Sequence, residues 1–262
     1  MRRAPARGAG GGGSQLPMDV LTRVRRAVCA IGYLKVSLEH YKLNPEQRNF
    51  EITGSGFLVG SRRVITCAHV ITDMNQEMRK KGVPEDRQYA LFVYPAPTGK
   101  GWRTDLVPYK ASLDMDIDIG LLTLETEVEP EGLQVSGLES SAPQVGEDIG
   151  LVSYAHGSEL IYGGKSLQRF GPVFQRGYIS ALAPYEAATF TKILLDLVAA
   201  YAASGGPVFR IETGEVIGVL QEGHVGRTAT TSMAIPISHE GESVFVEKKR
   251  SFGPKLSEGG KS

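Results

Sequence analysis

Cysteine is scarce in this chain: two in 262 residues, enough for one disulfide at most. That count fits poorly with a secreted, disulfide-stapled protein. Long apolar runs are missing too. None approaches the roughly 20 residues a bilayer-spanning helix needs, so no membrane span is expected. Charge of one sign is also lacking, because 29 basic and 29 acidic residues give a formal net charge of zero. No global field therefore draws the chain to nucleic acid or to an anionic membrane. Local basic groups at Arg23, Arg25 and Arg26 and at Lys248, Lys249 and Arg250 read as solvated faces. His40, His69, His156, His224 and His239 are scattered, with no metal-ligand spacing to each other or to Cys29 and Cys67. Neither a metal nor another cofactor is expected. The first 17 residues hold no apolar segment of a secretory signal. Their arginines and glycines suit a disordered leader, and exclusion points to a cytoplasmic location.

What is present is β-pattern. Short apolar or alternating runs, such as Tyr89 to Tyr94 and Ile149 to Tyr154, are separated by glycine, proline and charged breakers. Helical signals are few. Asp19 to Arg26 reads as a short capped helix leading into the first strand, and Val70 to Lys81 as a short helix. Leu194 to Tyr201 is apolar enough for another. Hydrophobic residues make up 41% of the chain, enough for a large core.

Three segments carry chemistry. Ala203-Ser204-Gly205-Gly206-Pro207 puts one hydroxyl on a glycine-supported turn between apolar runs. Small neighbours let a carbonyl approach the backbone, and successive N–H groups can converge on a developing negative charge. The run Arg63-Val64-Ile65-Thr66-Cys67-Ala68-His69-Val70 ends in an imidazole, which titrates near neutrality and can shuttle a hydroxyl proton. Asp116-Ile117-Asp118-Ile119-Gly120-Leu121-Leu122 places a carboxylate at the mouth of a buried strand, where it can orient an imidazole. Each segment alone also suits an ordinary turn or strand end.

Taken together and in the order His, Asp, Ser, they resemble the chymotrypsin-like (trypsin-fold) serine proteases. Asp118 follows His69 by 49 residues and Ser204 follows Asp118 by 86. The bacterial HtrA/DegP-like branch is the nearer likeness. Gly54 to Val59 resembles its "GSGF" strand, Val64 to Val70 its "VITxAHV", and Asp118 to Leu122 its "DxALL". Asp196 stands eight residues before Ser204, Gly214 to Val219 resembles "GEVIGI", and Met233 to Ile237 resembles "FAIP". The resemblance implies an all-β fold of two packed six-stranded antiparallel β-barrels. The expected organisation is a leader over 1–17, a protease domain over 18–246 whose barrels meet near 128–145, and a mobile tail over 247–262. No PDZ domain is expected after the protease domain. Leu194 to Tyr201 becomes the loop under the substrate pocket.

The resemblance also implies roles. Ser204 would be the nucleophile, His69 the general base and Asp118 its orienting acid, with Asp116, two residues earlier, the runner-up. The backbone N–H groups of Ala202 and Ser204 would form the oxyanion hole. Val198, Val219, Leu220 and Gln221 would bind an extended protein or peptide substrate, with a small or medium apolar side chain before the cut. His224 is a weaker candidate, from the loop that follows. Departures qualify this. Ala202 stands where the family usually has glycine, and alanine resists the positive φ that glycine tolerates. The second oxyanion donor would then point away at rest. A regulatory partner acting on this loop, or a pseudoprotease that only binds peptides, are the readings that follow. The residue before Ser204 is Ala203 rather than aspartate, which implies an enzyme without zymogen activation.

Overall fold

The computed structural model describes residues 17–44, 47–95, 102–136, 141–158, 171–185, 190–225 and 230–237. The leader and the tail lie outside them, apart from residue 17. Among the described residues, no helix is long and apolar enough to cross a membrane.

Six strands close the first barrel: β1 (Val28–Leu34), β2 (Phe50–Leu58), β3 (Arg63–Cys67), β4 (Gln88–Pro95), β5 (Trp102–Asp114) and β6 (Ile119–Leu124). Their order around the barrel is β1-β2-β3-β6-β5-β4, every pairing is antiparallel, and β4 returns to β1. Six more close the second: β7 (Asp148–Ser153), β8 (Val173–Ala183), β9 (Lys192–Leu195), β10 (Pro207–Arg210), β11 (Val216–Val225) and β12 (Thr230–Pro236). Their order is β10-β11-β12-β9-β8-β7, again antiparallel throughout. This is the two-barrel arrangement the resemblance implies. Closure leaves no open sheet edge, which suits strands as apolar as β1, all seven of whose residues are buried.

The chain crosses between the barrels after Leu124 and stitches them on the way. Leu133 donates its N–H to the Leu58 carbonyl of the first barrel at 2.7 Å. Gln134 and Ser136 exchange backbone bonds with Val216 of the second. The larger apolar core mixes both halves, joining first-barrel residues such as Phe50, Phe57 and Phe92 to Ala202, Phe209, Val216 and Val219. A smaller core fills the second barrel with Ile149, Leu151, Ile193, Val208 and Leu220.

Among the described residues, three α-helices flank the barrels: α1 (Met18–Ala27), α2 (Leu38–Leu43) and α3 (Ala68–Lys81). The first buries Val20, Val24 and Ala27, a single face at helical spacing. Its expected side-chain cap is absent, since Pro17 occupies the N-cap position and no side chain bonds there. Burial holds it instead, along with the Arg23 guanidinium on the Thr213 carbonyl. The third helix starts two residues earlier than the sequence suggests, so His69 lies in its first turn. Of the apolar stretch Leu194 to Tyr201, the first two residues finish β9 and the rest is loop. Cys29 and Cys67 are both buried free thiols.

Candidate active site

β3 ends and α3 begins at the Cys67–Ala68 junction, and this junction orients His69. The first N–H groups of any helix have no partner inside it. Here Cys67 offers no side-chain cap. Asp118 fills that need from 49 residues away. Its backbone carbonyl accepts from the Ala68 N–H at 3.2 Å, and its Oδ1 accepts from the His69 N–H at 2.9 Å. Its other oxygen, Oδ2, lies 2.8 Å from His69 Nδ1. An ionised carboxylate only accepts, so Nδ1 carries the ring proton and Nε2 is the basic nitrogen. Asp118 takes φ 55° in the turn before β6, a conformation that aspartate tolerates better than most residues. Burial pushes its pKa up. The bonds from the His69 ring and backbone, the imidazole's charge and the Gln221 amide outweigh that and hold it below the usual carboxylate value. Asp116, the runner-up acid, is exposed in the preceding turn, where its N–H donates to Asp114 Oδ1.

Ser204 comes from the loop before β10. Its loop turns tightly: Ala203 N–H donates to Ala200 O, Gly206 N–H to Ala203 O, and Gly205 N–H to Leu220 O. Gly205 has φ 87° and passes so close to the first barrel that a Cβ would sit 2.0 Å from the Ser55 carbonyl oxygen. Only glycine fits there. Ala202 adopts φ 65°. Alanine resists this conformation, and tertiary bonds hold it there. The buried Ser55 hydroxyl donates to the Ala202 carbonyl at 2.8 Å and accepts from the Tyr154 N–H at 2.8 Å. The Ser55 N–H donates to the Ser204 carbonyl at 2.8 Å. Among the described residues, neither the Ala202 nor the Ser204 N–H has a hydrogen-bond acceptor. Unmet backbone donors beside a hydroxyl can serve as an oxyanion hole where they converge.

These groups share one cleft of about 510 Å³, lined by Thr53, His69, Asp73, Asp118, the backbone and side chains of 199–202, Ser204 and Gln221. The Ser204 hydroxyl donates to the Gln221 carbonyl at 2.8 Å. A hydroxyl has one proton, so this bond must turn aside before His69 receives it. Gln221 Nε2 donates to Asp118 Oδ2 at 2.9 Å. That contact, and the Ser55 clamp, were not foreseen. Gln221 is the unpaired residue of a β-bulge, since Leu220 pairs with Ala234 and Glu222 with Met233. A bulge re-aims a side chain that regular alternation would place elsewhere.

Of the other expected substrate residues, Val219 and Leu220 do not line the cleft. Neighbours on a strand face opposite ways, and here both faces are core: Val219 enters the larger cluster and Leu220 the smaller. Val198 is also outside it, 55% exposed. Asp196 accepts from the Tyr178 N–H on β8 rather than facing Ser204. The His224 side chain lies outside the described residues. The structure does gather Cys67, His69 and Asp118, with one ligand-type atom of each within 4.8 Å of the others. Their atoms are committed elsewhere: the Cys67 thiol donates to the Leu220 carbonyl and burial raises its pKa, while the other two hold each other.

Comparison with known proteins agrees with this architecture. Residues 54–219 match the family model described as a trypsin-like peptidase domain. Over 175 residues the chain is 27% identical to Protease Do-like 2, chloroplastic, of Arabidopsis thaliana, covering 66% of this chain and 24% of that protein. The chain thus spans about a quarter of the length of this curated relative. Two solved structures share the fold. One is Rv3671c of M. tuberculosis H37Rv, in the inactive form of a Ser343Ala mutant, with TM-score 0.56 and 15% identity over 95% of this chain and 98% of that one. The other is Deg5, with TM-score 0.54 and 18% identity over 87% and 90%. Both the matched family model and the HtrA/Deg relatives point the same way, and the chain belongs to the trypsin-like peptidase domain family.

Proposed function

We propose that this protein is a serine endopeptidase that cleaves protein or peptide substrates through an acyl-enzyme on Ser204. The observation that carries the reading is the His69–Asp118 pair in one cleft with Ser204 and two unmet backbone donors. In the first half-reaction Ser204 Oγ attacks the scissile carbonyl carbon and its proton passes to His69 Nε2. Asp118 holds the ring and stabilises the imidazolium. The N–H groups of Ala202 and Ser204 receive the oxyanion. As the C–N bond breaks, the leaving amine takes the proton from Nε2. Water then repeats the cycle, giving its proton to Nε2 and its oxygen to the acyl carbon, and Ser204 is regenerated.

The side chain before the cut is proposed to be small or medium and apolar, from the alanines along the cleft. Ala199, Ala200 and Ala202 line it, and the lining residues include neither lysine nor arginine. The bond from Ser204 to the Gln221 carbonyl favours a second reading, a pseudoprotease or partner-activated form whose hydroxyl is held from the base at rest. Labelling with a fluorophosphonate, with the adduct located by mass spectrometry, separates them. An adduct on Ser204 that is lost in His69→Ala supports the endopeptidase. A folded protein that takes no label overturns it in favour of the second reading.

A further inference from the structure

One charged side chain beside the site takes no part in the mechanism above. Lys192 begins β9, and its ammonium reaches across β12 to donate to Gln221 Oε1. The other end of that amide donates to Asp118 Oδ2 at 2.9 Å. The chain of contacts therefore runs Lys192, Gln221, Asp118, His69.

A primary amide is nearly symmetric in shape but not in chemistry, with an acceptor at one end and donors at the other. Inverted, Gln221 would set its carbonyl oxygen against the Asp118 carboxylate. The bulge that brings Gln221 to the site fixes where the side chain goes, not which way its amide faces. An ammonium has only donors to offer, so it admits one orientation, oxygen toward Lys192 and N–H toward Asp118. We propose that Lys192 is a positioning residue that locks the Gln221 amide and, through it, sets the proton affinity of the Asp118–His69 pair. The proposal rests on the endopeptidase reading of the cleft for its effect on turnover, but not for its effect on His69.

Two consequences act in the same direction. Without Lys192 the amide is free to invert, so Asp118 loses a donor and its charge acts more fully on the imidazole. A nearby positive charge is also removed, and imidazolium forms more easily. The field of Lys192 does reach this region. Against the upward push of burial and of Asp118, the Gly205 backbone bond and, less, Lys192 draw the Cys67 thiol, two residues before His69, back down. The other groups around His69 are Asp118 before β6, Asp73 on its own helix, Cys67 on β3 and Ser204 on the nucleophile loop, and none of them changes in the variants below.

The test is an NMR titration of the His69 ring in the full chain, alongside the pH profile of kcat/KM on a peptide substrate. In Lys192→Met the His69 pKa is expected to rise by about half a unit or more. The acid limb of kcat/KM should move up with it, and kcat should fall several-fold with KM little changed. Lys192→Arg, also a donor-only cation, should lie between Lys192→Met and the wild type. Should Lys192→Met fail to fold, Lys192→Gln removes the charge and is read in the same way. A His69 titration that is the same in wild type and variant overturns the proposal, as does an arginine variant no different from the methionine one. A shifted titration in a protein that neither turns over nor takes label on Ser204 upholds the positioning role while the endopeptidase reading falls. Normal turnover with an unshifted titration does the reverse.

Discussion

His69 and Asp118 stand where strands of the first barrel begin or end, whereas Ser204 stands on a loop of the second. The first pair is fixed by regular structure. A helix start leaves N–H groups without partners, Asp118 answers two of them, and its contact with the imidazole comes from the same side chain. The nucleophile loop has no such frame. Its shape depends on an alanine at φ 65°, on a glycine pressed against the other barrel, and on bonds from Ser55. Asp118 takes one side-chain bond from Gln221 across the interface, whereas the Ser204 loop borrows its backbone shape there.

The largest effect should come from the borrowed side itself. Ser204→Ala should lower kcat on the order of a million-fold while leaving the fold intact, measured by peptide hydrolysis and thermal unfolding. A Ser204→Ala protein that retains its activity would break the comparison at its root.

Next comes Asp118→Asn, with a loss on the order of 10,000-fold as the imidazole takes the wrong tautomer. This variant also has a stability signature. The folded pKa of Asp118 is lowered, so its contribution is fully present above the unfolded value near 4 and is lost as pH falls through the lower folded value. Thermal unfolding followed down through that window should show a shallower acid limb in Asp118→Asn than in the wild type. Equal slopes would mean the pair adds nothing to folding.

A smaller effect is expected from Ser55→Ala, which tests the dependence of one barrel on the other. It leaves the Ala202 carbonyl and the Tyr154 N–H without their partner, a cost of about 1–3 kcal/mol for each buried group. With the 202–203 peptide released, kcat should fall by up to roughly 100-fold, the worth of one oxyanion donor. Stability lost with kcat unchanged would show that the clamp serves packing alone.

The smallest change should be Ala202→Gly. Relief of the left-handed strain, about 1 kcal/mol, is offset by the greater freedom of glycine in the unfolded chain, roughly 0.5–1 kcal/mol. Stability and kcat should both stay close to the wild type. A rise in kcat of more than about tenfold, read against one lost oxyanion donor at 100- to 1000-fold, would mean that alanine holds the donor away during turnover.

The sequence made some of this legible and hid the rest for physical reasons. Strand runs follow from local patterns, whereas the paired barrels and the grouping of His69, Asp118 and Ser204 follow from the family resemblance that the matched segments carry. The Ser55 hydroxyl acts on a carbonyl 147 residues away, and nothing near Ser55 announces it. Gln221 reaches Asp118 only because β11 bulges, and a bulge changes which face every later residue takes. On the same strand, Val219 and Leu220 send their side chains into the two cores. Intrinsic preference gives no sign that Ala202 sits at positive φ, because well-placed bonds from Ser55 override it.

The Ser55 clamp also makes the shape of the Ser204 loop conditional on contact with the other barrel. On the proposed reading, any opening that parts the loop from Ser55 disarms the molecule.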